Sequence, residues 1–261
     1  MATSTEQINN LIGAYTALKQ YFEGAKDGIE DALAAAASRY QGFFSTVHVD
    51  QAARNDANNG TADAPVASIQ RAIDLSPHDG FNMIKVRGNY TATVRVVTNG
   101  RMLSIVGCIA GSEWTTADDP AQRPTLTIGY YDISGFAEVA GFHCGYDTYI
   151  NVIGFKIQLP SLADVTAALP GSNTGSTNPR GLFAIRSSSH GRAGSVALRY
   201  CELIVPADYY GAIFSAGIGW YLLTTASTIN GDIAGKVHPE VPAAAVSDDY
   251  ARFIQTTMVT L

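Results

Sequence analysis

Charged residues are scarce in this chain of 261 residues. Asp, Glu, Lys and Arg make up 15% of the sequence, against roughly 25% in ordinary globular domains. The net charge is −6 at pH 7, so the chain lacks the basic footprint of a nucleic-acid-binding protein. Low charge together with 25 glycines and 13 tyrosines favours a β-rich protein with many turns, or one whose surface is partly buried in an assembly.

Cysteines and long apolar runs are also scarce. Cys108, Cys144 and Cys201 lie far apart in apolar, strand-like sequence without a CxxC pair, which predicts buried thiols and no zinc site. No apolar run reaches the roughly 18 residues of a membrane span, and MATSTEQINN lacks the basic and apolar regions of a secretory signal. We therefore expect synthesis in a reducing cytoplasm, no membrane span, and no metal or cofactor.

One long helix is predicted for residues 4–40, with Ser4 and Gln7 as a capping box at its start. Apolar or small residues then recur in alternating steps of three and four, which is the spacing of a coiled-coil seam. This seam predicts an oligomeric stem over residues 1–42. The alternative is an amphipathic helix packed on its own domain, and three glycines weaken the helix by up to about 1 kcal/mol each. The seam positions are Ile8, Leu11, Tyr15, Leu18, Phe22, Ala25, Ile29, Ala32 and Ala36.

A turn-rich segment follows the long helix. Residues 43–50, FFSTVHVD, alternate as a strand does, whereas residues 55–65, NDANNGTADAP, are too rich in turn-forming residues for a core element. The next run, SIQRAIDL, predicts a short helix near residues 67–75 with Ser68 as its N-cap. The apolar positions on one face of this helix are Ile69, Ala72 and Ile73.

Beyond residue 83 the sequence consists of short β-branched and aromatic runs separated by turn residues, which excludes a doubly wound α/β fold. Three of these runs resemble one another, and a fourth is a looser relative. The three are VIGFKI from Val152, LRYCEL from Leu198 and TTASTI from Thr224, and the fourth is LSIVGCI from Leu103. The second begins 46 residues after the first, and the third 26 residues after the second. Periods of 20 to 50 residues indicate stacked units, so the pattern favours a short parallel β-helix. A β-sandwich is the alternative.

The predicted solenoid covers residues 43–235, and the C-terminal residues 236–261 break its strand pattern. There we predict a short helix from Asp248 to about Met258, with Ser247 as its cap. Two roles remain open for this segment, namely capping the far end of the solenoid or docking on a partner.

The segment before the short helix is similar to the entry of a known fold. The order VHVD, NDANNGT, Pro, SIQRAID resembles the start of a pectate-lyase-like right-handed parallel β-helix, as found in bacteriophage tail fibres and tailspikes. The resemblance covers residues 44–90 well, and residues 94–230 only in kind. It implies that the short helix caps the open end of the solenoid, where unpaired strand edges would otherwise pair with another chain.

Together with the heptad helix, the resemblance implies a homotrimeric structural protein of the phage particle. A tail fibre, a collar or a fibre-attachment subunit would each fit, with other tail proteins as partners and host surface glycan as a further candidate partner. Two alternatives are a tailspike depolymerase that cleaves host polysaccharide and a glycan-binding module without turnover. The expected location is the virion.

No catalytic site is predicted. Glycoside hydrolysis needs two carboxylates about 5 to 9.5 Å apart, and no pair stands out, although Glu138 and Glu202 could converge from separate coils. The two Asp residues before Pro120 are predicted to shape a turn, and Glu202 to face outward next to an inward Cys201. The carboxylates considered are Asp118, Asp119, Asp132, Glu138, Asp147, Glu202 and Asp208.

His143 and Cys144 are adjacent in GFHCGYD. Neighbouring residues of a strand face opposite sides, so these two cannot form a nucleophile–base pair with each other. We predict a surface imidazole and a buried thiol. The Gly-rich residues 171–181 carry no phosphate-binding signature and are predicted to form a loop between coils.

Overall fold

A computed structural model describes residues 3–53, 55–144, 148–169, 180–185, 194–215, 219–239, 241–242 and 254–256. The chain divides into two compact units, Met1–Phe43 and Phe44–Leu261. The first unit is helix α1 (Ser4–Phe43), which confirms the predicted long helix. Its capping box differs from the prediction by one residue, since Glu6 N donates to Thr3 Oγ1 (3.4 Å) and Thr3 N to Glu6 Oε2 (2.7 Å). A carboxylate is the stronger acceptor, which favours Glu6 over Gln7.

In its described residues the second unit is mainly β, with one α-helix, α2 (Ile69–Leu75), and three short 3-10 helices. Its strands are β1 (Phe44–Val49), β2 (Phe81–Arg87), β3 (Tyr90–Ala92), β4 (Val96–Val97), β5 (Met102–Cys108), β6 (Thr125–Ile128), β7 (Tyr130–Ile133), β8 (Phe136–Val139), β9 (Phe142–Cys144), β10 (Tyr149–Ile153), β11 (Lys156–Gln158), β12 (Gly181–Ile185), β13 (Gly194–Arg199), β14 (Glu202–Val205), β15 (Ala212–Phe214), β16 (Trp220–Thr225), β17 (Thr228–Gly231) and β18 (Ile254–Thr256).

Three parallel sheets contain all of these strands except the antiparallel hairpin β7–β8. Sheet A has the order β1-β2-β5-β10-β13-β16-β18, sheet B the order β3-β6-β11-β14-β17, and sheet C the order β4-β9-β12-β15. From β2 to β17, the hairpin apart, the chain passes from sheet A to B to C and returns to A. This parallel pairing differs from the antiparallel pairing of a β-sandwich.

The sequence repeats are ladder partners in these sheets. Their first residues, Val152, Leu198 and Thr224, pair in succession in sheet A, and their last residues pair in the same way in sheet B. The looser relative is offset by two positions, because Ile105 and not Leu103 pairs with Val152. The alignment made from sequence for the three repeats is therefore confirmed.

Each repeat bends between its two strands. The corner residues Gly154, Tyr200 and Ala226 have positive φ angles of 71°, 53° and 48°. This left-handed conformation costs a non-glycine residue roughly 1–2 kcal/mol, so Tyr200 and Ala226 adopt it against their own preference. The runs predicted as single strands therefore divide into a sheet A strand and a sheet B strand.

The core lies between the three sheets. Sheets A and B contribute mainly aliphatic side chains, such as Ile105, Val152 and Leu126, which are fully buried. Sheet C contributes an aromatic stack, in which the rings of Phe142 and Phe183 lie 5.5 Å apart and the next ring in the stack lies 5.9 Å from Phe183. Every second residue of a strand points inward, and this alternation fills the core.

The short helix α2 forms where the sequence predicts it. Ser68 Oγ accepts a hydrogen bond from Arg71 N (3.1 Å), so Ser68 is the N-cap. Ile69, Ala72 and Ile73 are fully buried, and α2 packs against β1, β2 and β4. The predicted apolar face is confirmed.

The loop before α2 is fixed by Asp56. Its Oδ1 accepts from Ala67 N and Ser68 N (2.9 Å each), and its Oδ2 accepts from Ser68 Oγ (2.8 Å). Asn58 Nδ2 also donates to Pro65 O (2.7 Å). The polar residues of NDANNGT thus hold this turn against the first turn of α2.

Two glutamine side chains hydrogen-bond to the edge strands of sheets B and C, which are β3 and β4. Gln51 Oε1 accepts from Thr91 N (2.9 Å) and its Nε2 donates to Thr91 O (3.0 Å). Gln70, on α2, makes the same pair with Val97 N (2.7 Å) and Val97 O (3.2 Å). Each amide replaces a neighbouring strand, which removes the unpaired backbone groups that make sheet edges prone to association.

The C-terminal part lies along the far edges of the sheets. Ile213 N donates to Lys236 O (2.7 Å), next to the edge of sheet C. Ile254–Thr256 forms β18, parallel to β16. The helix predicted from Asp248 to Met258 is therefore wrong at these three residues. As a strand, they pair with backbone groups at the edge of β16, which would lack these partners if residues 254–256 were helical. The remainder of that prediction, with Ser247, lies outside the described residues.

Candidate functional site

The heptad seam of α1 is exposed from Ile8 to Ala32, and the Ala36 side chain lies outside the described residues. Ile8, Leu11, Leu18 and Phe22 are 57%, 70%, 53% and 61% exposed. Tyr15 and Ile29 are also exposed, as are Ala25 and Ala32. A continuous exposed apolar stripe over residues 8–32 is unusual, since helices in soluble proteins gain most of their stability by burying such a stripe.

The three glycines of α1 lie off this seam. Gly13, Gly24 and Gly28 occupy heptad positions other than the seam positions, and a Cβ added at any of them would meet nothing within 4 Å. The exposed ion pairs Lys19–Glu23 (3.8 Å) and Lys26–Glu30 (3.5 Å) have Lys before Glu, the weaker order for a helix. These glycines and ion pairs thus contribute little to the stability of α1.

A polar cluster surrounds Glu138 on the hairpin. Tyr131 Oη donates to Glu138 Oε2 (2.6 Å), and Arg95 Nη2 lies 3.6 Å from the same oxygen. The Arg95 guanidinium also lies 5.7 Å from the centre of the Tyr131 ring. Burial, followed by the bond to Glu138, raises the pKa of Tyr131 above its usual range. The carboxylate is thus already paired with a cation and a hydroxyl, an arrangement suited to fixing the hairpin.

Sequence reasoning missed this cluster, although the hairpin has a signal. Ser134 and Gly135 both have positive φ angles, which is the two-residue turn that joins antiparallel strands. The dipeptide Ser-Gly between the alternating runs YYDI and FAEV predicts such a hairpin. A hairpin with this turn also places Tyr131 opposite Glu138, as observed. Arg95 comes from a distant loop, and no local pattern reveals its approach.

A second group of side chains lies around Tyr210. Its hydroxyl donates to Ala137 O (2.7 Å), its ring centre lies 5.4 Å from that of Tyr130, and the Arg180 guanidinium lies 5.1 Å from its ring. Burial raises the pKa of Tyr210 to about 12. Burial also raises the pKa of Tyr130. These rings hold the hairpin against the residues that flank β12 and β15.

The other carboxylates stabilise turns. Asp119 Oδ1 accepts from Ala121 N (2.8 Å) next to an exposed Asp118, which confirms the predicted turn role for Asp119. Asp132 accepts from Gly135 N (2.9 Å) in the hairpin turn. Asp208 accepts from Ser161 Oγ (2.6 Å), and this bond lowers the pKa of Asp208.

Glu202 and Glu138 have separate partners. Asn230 Nδ2 donates to Glu202 Oε1 (3.4 Å) in sheet B, whereas Glu138 lies in the hairpin. Glu202 is half-buried and its neighbour Cys201 is buried, as the predicted alternation requires. Asp147 lies outside the described residues, as do residues 171–179 of the predicted Gly-rich loop.

His143 is buried, so the predicted surface imidazole is wrong. It is 6% exposed, and Arg95 Nη1 lies 3.0 Å from its Nδ1. Arginine can only donate a hydrogen bond, so Nδ1 of His143 accepts it and carries no proton. The alternation rule fails here because Arg95 covers the outer side of β9. Cys144 is buried as predicted.

The three thiols are buried and unpaired with one another. Burial raises the pKa of Cys108, Cys144 and Cys201, which disfavours the reactive thiolate. The prediction of buried thiols is confirmed. Among the described residues, no three His, Cys, Asp or Glu side chains are close enough to hold a metal ion. Within the same part of the chain, no helix has the length and apolarity to cross a membrane.

Comparison of the chain with protein-family models, curated proteins and solved structures finds no match.

Proposed function

We propose that this chain is a structural protein of a bacteriophage particle, as a tail fibre, collar or fibre-attachment subunit, and that it is a homotrimer through α1. The observation that carries the proposal is the open apolar seam from Ile8 to Ile29. Burying a large apolar side chain contributes about 1.5–3 kcal/mol, so a seam of this length stabilises an assembly. Without such an assembly, an isolated helix with three glycines has only marginal stability.

The width of the exposed apolar stripe favours three helices over two. A two-stranded coil favours a narrow stripe with β-branched and Leu residues in alternation. Ile8 and Leu11 follow that pattern and Tyr15 departs from it, whereas Ile12 and Leu33 widen the exposed stripe. A wider stripe needs more than one neighbour to cover it. The resemblance to phage fibre proteins, which are usually trimers, points the same way.

We propose that sheets A, B and C are the three sides of a right-handed parallel β-helix. The chain visits the sheets in a fixed order and pairs in parallel in each of them, which such a solenoid requires. Connections between parallel strands are right-handed in nearly all proteins. In this arrangement α2 and the two glutamine side chains cap the first coil.

We further propose that the chain does not cleave glycans by itself. Glu138 is already bound by Arg95 and Tyr131, and Glu202 has a different set of partners. An enzyme that used either acid should lose about 10² or more of its rate when that acid is replaced. The assay compares wild type, Glu138→Gln and Glu202→Gln on host polysaccharide. Turnover in the wild type that either variant abolishes would establish the depolymerase alternative, and binding without turnover would favour the glycan-binding module.

The particle itself tests the structural role. Antibodies against this chain, with gold labels, should mark the tail or collar of particles purified from infected cells. The matched control uses the same antibodies on particles of an unrelated phage. Recovery of the chain from the infected cells but not from the purified particles would reject the proposal.

A further inference from the structure

The loop between β5 and β6 folds back over the outer side of sheet A. Ile109 N at its start donates to Thr115 O (2.8 Å) near its end, and Trp114 is only 9% exposed. The φ angle of Trp114 is 58°, and this left-handed conformation is unfavourable for a residue with a side chain. The contacts of the Trp114 side chain therefore have to hold the loop in place. We name residues 109–117 the clamp loop.

Trp114 contacts two side chains of sheet A. Its ring centre lies 4.4 Å from the guanidinium carbon of Arg87 and 4.5 Å from the ring centre of His48. Arg87 Nη1 donates to Ser112 O (3.4 Å) in the clamp loop, and Arg87 Nε and Nη2 donate to Asp50 Oδ2 (3.0 and 2.8 Å). A guanidinium over an indole ring is a favourable contact. The clamp loop is therefore attached to the sheet at Arg87, which Asp50 fixes, and at His48.

Positive charges flank His48. Lys85 is its ladder partner in β2, so the two side chains lie next to each other on the outer side of the sheet. Arg87 lies two residues further along β2 and therefore on the same side. Two like charges on neighbouring strands repel each other. A proton on His48 would therefore introduce repulsion next to the Trp114 contact.

The acidic and thiol groups near His48 do not compensate such a charge. The carboxylate of Asp50 is committed to Arg87, and that of Asp56, in the loop before α2, is committed to the first turn of α2. Burial raises the pKa of Cys108, whose Sγ donates to the backbone of the clamp loop (3.4 Å), so this thiol stays neutral. In the described part of the chain, the other carboxylates of these two loops are exposed to solvent, namely those of Asp63 and Glu113.

We infer that the clamp loop is an acid-sensitive latch, which protonation of His48 releases from the outer side of sheet A. Such a latch needs only contacts within the second unit, so it does not depend on the proposed function. Burial lowers the pKa of His48, its bond to Gly60 O partly offsets this effect, and the charges of Lys85 and Arg87 lower the pKa further. Above about pH 6.5, the usual pKa of histidine, the closed loop thus has its full stability. It loses stability as the pH falls below that value, because His48 binds the proton more readily once the loop is open.

Hydroxyl-radical labelling of the purified full-length protein tests the latch, with each labelled residue identified by mass spectrometry of its peptide. Labelling at about pH 7.5 and about pH 5.0 brackets the usual pKa of histidine, while Asp and Glu keep most of their charge at both values. Two residues of the β unit are internal references. Tyr200, which is 52% exposed, reports the radical dose, and Trp220, which is 1% exposed, reports whether the core remains folded.

We expect the labelling of Trp114, relative to the dose reference, to rise several-fold at the lower pH while Trp220 stays protected. His48→Gln should abolish the rise, because glutamine does not titrate. His78→Gln is the matched control, since His78 is an exposed histidine of the same unit, and it should respond as the wild type does. Lys85→Gln keeps His48 but removes an opposing charge, so its rise should be smaller than that of the wild type.

The following results would each overturn the inference. Equal labelling of Trp114 at both pH values in the wild type would show that the loop does not respond to acid. A rise that is retained in His48→Gln, lost in His78→Gln or undiminished in Lys85→Gln would assign the response to another group. A parallel rise at Trp220 would show that acid unfolds the whole unit and does not release the loop locally.

Discussion

The two α-helices in the described part of the chain have similar apolar patterns but very different surroundings. On α2, Ile69 and Ile73 are fully buried, and the helix packs against strands of its own unit. On α1, Ile8 and Leu18 are more than half exposed. Apolar side chains at helical spacing are thus buried by the chain's own strands in α2 and exposed in α1.

The difference shows what sequence periodicity can and cannot decide. A periodic apolar face predicts burial, but it does not specify the partner. For α2 the partner lies in the neighbouring strands, and the loop held by Asp56 fixes the helix there. For α1 the described residues of the single chain leave the face open, and the proposed partner is another copy. The following changes test this contrast from the largest expected effect to the smallest.

Ile73→Asp should lower the free energy of unfolding of the β unit by about 3–5 kcal/mol, because it places an unpaired charge in the core. Thermal unfolding followed by circular dichroism measures the loss. Ile73→Val is the control and should cost only about 0.5–1.5 kcal/mol. An unchanged melting temperature for Ile73→Asp would show that α2 does not cap the core.

Leu18→Glu should dissociate the proposed trimer and leave the β unit folded. The substitution places like charges in the seam and should cost about 2–4 kcal/mol per chain. Light scattering gives the oligomeric state, and near-ultraviolet circular dichroism reports the packing of Phe142 and Trp220. Gln20→Glu, on the opposite side of α1, is the matched control and should remain trimeric. Dissociation by both variants would indicate a general charge effect and no seam.

Gln70→Leu should destabilise the β unit by about 1–3 kcal/mol, because Val97 N and Val97 O lose their partners at the edge of sheet C. Asp74→Ala is the control, since it removes only the exposed bond between Asp74 and Gln70 Nε2 and should cost under about 0.5 kcal/mol. Chemical denaturation compares the two variants. Equal effects would mean that the edge contact contributes nothing.

Gly13→Ala and Gly24→Ala should each stabilise α1 by about 0.5–1 kcal/mol, since neither new methyl group meets another atom. The thermal transition of α1 should rise, while the oligomeric state should stay the same. Gly154→Ala is the opposing control, because its positive φ angle makes alanine unfavourable there. Loss of the trimer in Gly13→Ala would contradict the placement of Gly13 away from the seam.

The sequence predicts elements whose partners are near in the chain or repeat in register. The α2 N-cap follows from Ser68 and the spacing of Ile69, Ala72 and Ile73. The repeat from Val152 aligns because equivalent positions of successive repeats pair in the same sheet. Contacts between distant segments have no such signal. Arg95 reaches Glu138 and His143 across the fold, and β18 pairs with β16 where local preference favours a helix.

The molar mass of the purified full-length chain in solution tests the central claim most directly. Light scattering at micromolar concentration should give three times the 27.6 kDa mass of one chain. Removal of residues 1–43 should reduce the mass to that of a single β unit. A mass of one chain for the full-length protein, with α1 helical by circular dichroism, would contradict the account.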